Sequence, residues 1–426
     1  MTDDNVDQLA EKQVITMGCR LNGYESDVIQ QNLHKAGAKD VIVVNSCAVT
    51  AEAVRQTRQM VRKLKRKNPE KKIIVTGCAA QIEPKTFADM DEVAKVLGNH
   101  DKLSAETYQG LFDTEDTEKV IVNDIMSVRE TAGHMMSGFD SRTRAYLQIQ
   151  NGCNHRCTFC IIPYGRGNSR SVPAGVIIEQ IKKAVDHGVK EIVLTGVDIT
   201  SWGEDLPSQP ALSYLVRKIL SLVPDLPRLR LSSIDSIEVD EMLLDMIATE
   251  KRFMPHLHLS LQSGDNMILK RMKRRHSREQ ALEFCHTLKE KRPEIVFGAD
   301  IIAGFPTETD EMFQNTLAFI TEAQIIYAHI FPFSAREGTP AARMPQLQKH
   351  VIKERASLLR KAGQDNYNRF VRTLVGQQQN VIAENNKYVR AENFLRINMS
   401  NSFKAGDVFP VLISDIKQGE VYASAL

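Results

Sequence analysis

A chain of 426 residues carries 55 basic and 53 acidic side chains, a net charge of +2, with 42% apolar residues. That length supports two or three domains, each with its own core, and the near-neutral balance excludes nucleic-acid binding by a global field. The first twelve residues are polar and acidic and no apolar run is long enough to span a bilayer, so a cytoplasmic protein with no membrane segment is expected. Seven cysteines, three of them inside one eight-residue stretch, fit a secreted disulfide framework poorly and suit reduced thiols holding metal.

From Gln13 the pattern alternates strand and helix. Val14–Met17, Val41–Val44, Ile73–Thr76 and Val93–Leu97 read as strands, the second a continuous apolar run of the kind buried on both faces. Glu25–Ala36 and the basic Ala51–Lys67 read as intervening helices. An open parallel α/β domain of flavodoxin-like size and order is therefore predicted over residues 11–125. Cys19, Cys47 and Cys78 each fall just past the carboxyl end of one of the first three strands, 28 and 31 residues apart. Loops at those ends of neighbouring parallel strands meet at a ligand crevice, so these thiols are candidate metal ligands rather than small buried residues. Tyr108–Arg142, with Gly133 and Gly138, is polar and reads as a linker with one short strand at Val120–Val122.

A second βα series starts at Arg144. Strands are predicted at Tyr146–Gln150, Glu191–Thr195, Arg228–Ser232, His256–Leu261, Ile295–Asp300 and Ile325–Phe331, with helices such as Ala174–His187, Leu212–Leu222 and Glu311–Ala323 between them. This order suggests a parallel barrel or partial barrel over residues 140–365, with active groups at the carboxyl ends of its strands. The first strand runs through Asn151-Gly152 into Cys153-Asn154-His155-Arg156-Cys157-Thr158-Phe159-Cys160. Zinc normally takes four protein ligands, or three and a solvent site. An iron–sulfur cluster on three thiolates leaves one iron open to a small molecule.

Thr195-Gly196-Val197-Asp198, Ser232-Ser233, Gln262 and Gly304 follow later strands and would ring the barrel mouth with small and polar groups, which suits an adenosyl cofactor. Two basic runs are candidates for phosphate contact: Arg55, Arg58, Arg62, Lys63, Lys65, Arg66 and Lys67, and Lys270, Arg271, Lys273, Arg274 and Arg275. A charge run is commonly a solvated helix face; only the second follows a loop at the mouth, where phosphate contact is expected. Cys285, Trp202 and the His256/His258 pair read as packing residues. Gln346–Val375 reads as helical. Five short strands between Asn380 and Ser424 suit a small closed barrel over residues 370–426, an architecture often used for RNA and expected here to be a separable platform.

Met17-Gly18-Cys19-Arg20-Leu21-Asn22, Asn45-Ser46-Cys47-Ala48-Val49-Thr50, Gly77-Cys78-Ala79, the CxxxCxxC loop with Cys160-Ile161-Ile162-Pro163 and Arg166–Ser171, and the terminal barrel cover nearly the whole chain. Together they resemble the radical S-adenosylmethionine (SAM) methylthiotransferases. The Gly18–Ser26 wording is similar to the branch acting on threonylcarbamoyladenosine beside the tRNA anticodon. The resemblance implies an α/β chain of three parts: a flavodoxin-like domain, a partial (β/α) radical-SAM barrel and a small all-β TRAM barrel that binds RNA. It implies two [4Fe-4S] clusters, a catalytic one on Cys153, Cys157 and Cys160 and an auxiliary one on Cys19, Cys47 and Cys78. SAM would serve as radical source and methyl donor, and the product would be a methylthio group at C2 of N6-threonylcarbamoyladenosine, tRNA position 37. The implied partners are the tRNA anticodon stem-loop, a low-potential electron donor such as flavodoxin, and a sulfur donor.

Three alternatives stand beside this reading: methylthiolation of isopentenyladenosine in tRNA, methylthiolation of an aspartate in a ribosomal protein, and a non-catalytic iron–sulfur RNA-binding redox sensor. One departure from the family wording is Thr307 in Phe305-Pro306-Thr307-Glu308-Thr309, where glycine is expected.

Overall fold

The computed structural model describes residues 12–110, 118–129, 143–385, 388–399 and 403–426. The middle of the predicted linker, with Gly133 and Gly138, lies outside them. The chain divides into two compact units. One holds the described residues up to Arg129 together with Gln150–Ser171 and Ser334–Ala342; the other holds the described residues of 138–149, Val172–Phe333 and Arg343–Leu426.

In the first unit, β1 (Val14–Thr16), β2 (Val41–Ser46), β3 (Lys72–Gly77), β4 (Val93–Leu97) and β5 (Val120–Ile121) form one parallel sheet in sequential order. The short strand expected inside the linker is the fifth strand of this sheet, paired to β4. Every residue of β2 is buried, because the sheet is covered on both faces. Ile42 and Val44 join Ile15, Ile73, Val75 and the helix Ala51–Lys67 in one core, while Val41 and Val43 join Val14, Ile74 and the helix Arg20–Lys35 in the other. Burial of each such side chain is worth about 1.5–3 kcal/mol. Thr50 caps Ala51–Lys67 by accepting from the Ala53 N–H, and Val54, Thr57, Met60, Val61 and Leu64 form its buried stripe. Most of its cations are thereby left on the solvated face, as a basic amphipathic helix requires.

The second unit opens with β6 (Arg144–Gln148). The next two strands, β7 (Gln150–Asn151) and β8 (Arg170–Ser171), pair antiparallel and belong to the first unit. β9 (Glu191–Thr195) then pairs parallel with both β6 and β10 (Arg228–Leu231). After Ser232 the chain continues as β11 (Ser233–Ile234), which pairs with β12 (His256–Gln262); β13 (Val296–Ala303) and β14 (Ile325–Pro332) follow in order, all parallel. This is a partial βα barrel. Its last strand is covered by the long helix Lys349–Thr373, which approaches closely because Gly363 has no side chain: a Cβ there would sit 2.6 Å from that of Ala328.

β15 (Gln378–Ala383), β16 (Tyr388–Ala391), β17 (Arg396–Met399), β18 (Val408–Lys417) and β19 (Glu420–Ala425) close into the small carboxyl-terminal barrel. Its β16–β17 turn carries Phe394 in among the amino-terminal ends of the larger barrel's strands. There the ring stacks on His256 at 4.5 Å, and the guanidinium groups of Arg144, Arg230 and Arg390 lie 5.5, 5.2 and 4.4 Å from its centroid. Glu191 accepts from Arg144 Nε at 2.9 Å and Arg230 Nε at 2.8 Å, and these cations hold its carboxyl far below the usual range despite burial. Arg144 and Arg390 both pair with Glu384. A buried charge network therefore ties the two barrels of this unit together. Among the described residues no helix is long and apolar enough to cross a membrane.

Candidate cofactor and substrate sites

The amino-terminal triad is assembled by glycines at strand ends. Gly77 has φ +94° and a Cβ there would lie 2.3 Å from the Ser46 carbonyl oxygen; Gly18 has φ +99° and its Cβ would lie 2.6 Å from Cys47 Cβ. Only glycine permits these approaches. They bring the ends of β1, β2 and β3 together with Cys19 just before the helix Arg20–Lys35, Cys47 after β2, and Cys78 opening the helix Cys78–Ile82. Burial raises the Cys47 thiol to about 11, and Cys78 and Cys19 lie close enough to contribute to that rise. The three thiols therefore lie near one another at the strand ends.

Polar groups that sequence reasoning missed surround this triad. Asn22 Nδ2 donates to the carbonyls of Met17 at 2.7 Å and Ser46 at 3.0 Å, tying the β1 and β2 loops together. Arg166 Nε donates to Cys78 Sγ at 3.1 Å, and Asn99 Nδ2 lies 3.7 Å from the same sulfur. Asn22 and Arg166 fall within the Met17–Asn22 and Arg166–Ser171 wording, but no local pattern pairs them with these thiols, and Asn99 carries no signal.

The second triad sits on a loop pinched at its base. Gly152 (φ +74°) lies so close to the returning chain that a Cβ would meet the Asn168 carbonyl oxygen at 1.9 Å. The Cys153 N–H donates to Gly167 at 3.1 Å, Ser169 N–H to Asn154 Oδ1 at 3.0 Å, and Arg156 Nη2 to Asn168 Oδ1 at 2.9 Å. Within the loop the Cys160 N–H donates to the Cys157 carbonyl at 3.1 Å, and all three thiols are partly exposed. These contacts give physical reasons for Asn151-Gly152 and for Arg166–Ser171. The chain enters the loop from Ile149, whose N–H donates to the Thr195 carbonyl at 2.9 Å, so the loop leaves the carboxyl end of β6.

Both triads fit iron–sulfur clusters by donor chemistry, since each offers three soft thiolates and the first also has a cation against one sulfur.

In the second unit, Thr195, Gly196, Val197 and Asp198 follow β9, Ser232 and Ser233 lie between β10 and β11, Gln262 ends β12 and Gly304 follows β13. The strand order makes these neighbours at one end of the barrel. Asp198 accepts from Ser201 Oγ at 2.9 Å, and Gln262 has φ +72° beside an irregularity in the β12–β13 register. Gly304 faces the terminal helix, where a Cβ would lie 2.8 Å from Ile352. Thr307, at the position where glycine was expected, has φ +68°. The left-handed backbone is kept without the glycine, and Arg271 Nη1 donates to both the Thr307 carbonyl and Oγ1.

Of the five cations expected to grip phosphate, two are engaged inside the protein. Arg274 Nη2 donates to Asp235 Oδ2 at 2.7 Å and to the Ser260 carbonyl at 2.6 Å, and Arg271 is held on Thr307. Arg275 is 41% exposed and pairs with Glu238 and Asp235. Lys270 and Lys273 are exposed. Burial opposes ionisation of Asp235, but His276, Arg274 and Arg275 overcome it and hold the carboxyl at about 2.

Trp202 and Cys285 are buried, as expected of packing residues, and Trp202 Nε1 donates to the Val172 carbonyl at 2.9 Å. His258 does more than pack. Its Nε2 lies 3.0 Å from Asp300 Oδ1, with His329 Nδ1 at 3.4 Å from the same oxygen. The two imidazoles overcome burial and hold Asp300 well below the usual carboxylate range.

A βα barrel whose first strand delivers a CxxxCxxC loop defines a radical SAM enzyme. The Radical SAM superfamily model matches residues 147–320, and the model of the uncharacterized protein family UPF0004 matches residues 12–98. The chain is 52% identical over 408 residues, 96% of both chains, to the threonylcarbamoyladenosine tRNA methylthiotransferase MtaB of Rickettsia prowazekii. It is 34% identical to the MtaB of Aquifex aeolicus over 93% of this chain and 98% of that one. A tRNA-2-methylthio-N(6)-dimethylallyladenosine synthase of Rickettsia rickettsii matches at 30%, over 87% of each chain. Among solved structures, the radical SAM methyltransferase TsrM of Kitasatospora setae superposes with a TM-score of 0.52 at 16% identity, covering 75% of this chain and 68% of that one, which shows the fold. This chain belongs to the radical-SAM methylthiotransferase family, in its threonylcarbamoyladenosine branch.

Proposed function

We propose that this protein installs a methylthio group at C2 of N6-threonylcarbamoyladenosine in tRNA, at position 37 beside the anticodon. The observation that carries the chemistry is the pair of separate cysteine triads, one at the carboxyl edge of the first sheet and one on the glycine-pinched loop after β6. The 52% identity to a threonylcarbamoyladenosine enzyme, against 30% to a dimethylallyladenosine synthase, supports the substrate.

Cys153, Cys157 and Cys160 would hold a [4Fe-4S] cluster, which with SAM would supply the chemistry needed to take hydrogen from an unactivated C–H bond. The protein's part is to fix those thiolates and to seat the adenosyl group. Thr195, Gly196, Val197, Asp198, Ser232, Ser233, Gln262 and Gly304 are assigned to that seat. Cys19, Cys47 and Cys78 would hold the second cluster, which would carry the sulfur, and SAM would also serve as the methyl donor.

An adenine inside an anticodon loop must be splayed out and its phosphates gripped for C2 to be reached. Lys270 and Lys273, with the barrel of residues 370–426, are assigned to that grip. The working division is a methylthiotransferase domain at 11–125, a radical-SAM barrel at 140–365 and the terminal TRAM barrel. The electron comes from a low-potential donor such as flavodoxin and the sulfur from a separate donor, in the cytoplasm. The test is a paired assay of reconstituted enzyme with SAM and reductant on tRNA carrying either threonylcarbamoyladenosine or dimethylallyladenosine. Product on the first tRNA alone supports the assignment, and product on the second alone overturns it.

A further inference from the structure

Beneath the amino-terminal triad lies a buried cluster of charged side chains. Glu25, Lys102 and Arg166 have side chains 0%, 0% and 2% exposed. Lys102 Nζ donates to Glu25 Oε2 at 2.6 Å and to Asn45 Oδ1 at 3.2 Å. Arg166 forms a two-pronged pair with the same carboxylate, and its Nη2 also reaches Asn22 Oδ1 at 2.5 Å. Two basic side chains thus share one carboxylate; burial, with Arg166 beside it, pushes the Lys102 ammonium down, while Arg166 remains a cation. A buried guanidinium is stabilised by each anion placed against it.

The remaining face of Arg166 shows where that anion belongs: its Nε donates to Cys78 Sγ at 3.1 Å. Cys19 also lies close enough to act on the guanidinium. A [4Fe-4S] core of charge +2 on three thiolates carries a net charge of −1, which the guanidinium of Arg166 would favour. Arg166 closes the short helix Ile162–Arg166, which follows the other cysteine loop, and lies 88 residues from Cys78 in sequence.

We propose that Arg166 is a positioning residue for the auxiliary cluster: its guanidinium, braced by Glu25 and Asn22, holds the Cys78 thiolate and sets the reduction potential of the cluster bound there. Net charge and hydrogen bonds to sulfur are the protein's main controls on such potentials. The inference rests on the assignment of a cluster to Cys19, Cys47 and Cys78. Because Arg166 comes from the stretch carrying Cys153, Cys157 and Cys160, building of the amino-terminal centre also depends on that stretch being in place.

The experiment uses the full chain with Cys153, Cys157 and Cys160 changed to alanine, so that only the auxiliary cluster is present. Iron is counted first, and the midpoint potential is then measured by redox titration followed by electron paramagnetic resonance. Arg166→Gln removes a positive charge and a sulfur hydrogen bond, and lowers the potential. Glu25→Gln adds one net positive charge beneath the cluster, and raises it. Arg166→Lys keeps the charge and returns the potential toward the wild-type value; it also serves should Arg166→Gln fold poorly. A purely structural role for Arg166 leaves the potential unmoved, or moves it in the same direction in both glutamine variants, and either result overturns the proposal. Absence of iron in the starting protein removes the cluster assignment itself.

Discussion

Phe394 lies flat on His256, ring centroids 4.5 Å apart and planes 18° from parallel, although its own backbone has φ +72°. Left-handed backbone costs a non-glycine residue about 1–2 kcal/mol, so the packing of this ring outweighs a local strain. Phe394→Ala therefore lowers the unfolding free energy of the unit by about 3 kcal/mol, and Phe394→Gly recovers about 1 of that by relieving the backbone. Urea melts give both numbers. Truncation at Gly376 goes further, because it strips Glu384 and Phe394 from buried Arg144 and Arg230. The terminal barrel is thus not the separable platform its sequence suggests, and the truncated chain is expected to lose SAM cleavage together with tRNA modification.

The two triads are expected to act independently in iron content. Anaerobically reconstituted protein should hold about eight irons, four per cluster. Changing Cys153, Cys157 and Cys160 to alanine removes about half. Gly77→Ala does the same without touching a ligand, because a Cβ there meets the Ser46 backbone at 2.3 Å and the φ is unfavourable. Gly77→Ala should still cleave SAM to 5′-deoxyadenosine but form no methylthio product. A full complement of iron in that variant contradicts the account of the strand-end glycines.

Neutralising Lys270 and Lys273 to glutamine removes two of the three exposed cations of that run and leaves Arg275 on its carboxylates. Each phosphate that is no longer neutralised reduces the slope of log affinity against log salt by about 0.7–0.9, so the pair should lower the slope for tRNA binding by about 1.5. Arg274→Gln, by contrast, acts through stability, because its partner Asp235 is buried. An unchanged slope in the double variant moves the RNA grip elsewhere.

Asp235 gives a pH signature. Its folded-state value of about 2 lies below the 3.8 of a free aspartate, so its stabilisation is present above about pH 4 and lost as pH falls through 2. The full effect is about 2 kcal/mol, of which about 1 is gone at pH 3. Asp235→Asn should cost about 3 kcal/mol at pH 6 by leaving Arg274 unpaired, and the gap to wild type should narrow by about 1 at pH 3. Urea melts at the two pH values test the sign; a gap that widens on acidification contradicts it.

Much of the architecture was legible because strands and cysteines repeat together. Val41–Val44 announces a doubly covered strand, and glycine before Cys19 and Cys78 marks the close approaches that gather the thiols. The helix predicted from Glu25 begins at Arg20, since Cys19 ends the extended segment in the capping position. Long-range polar partners were not legible. Glu25 meets Lys102 and Arg166 across 77 and 141 residues, and no local pattern encodes such a meeting. The basic run at Lys270–Arg275 reads as one patch, yet the chain turns at Lys273, with φ +59°, and sends Arg274 inward to Asp235. Thr307 shows the limit of residue-type rules: a left-handed position predicted as glycine is held by a threonine hydrogen-bonded to Arg271.

The central claim is that this chain methylthiolates threonylcarbamoyladenosine in tRNA. The most direct measurement is mass-spectrometric nucleoside analysis of total tRNA from a strain lacking the gene and any second methylthiotransferase of this branch. The account predicts that 2-methylthio-N6-threonylcarbamoyladenosine disappears and N6-threonylcarbamoyladenosine accumulates, with restoration by the wild-type gene and none by the Cys153→Ala variant. Undiminished methylthiolated nucleoside in the deletion strain would contradict it.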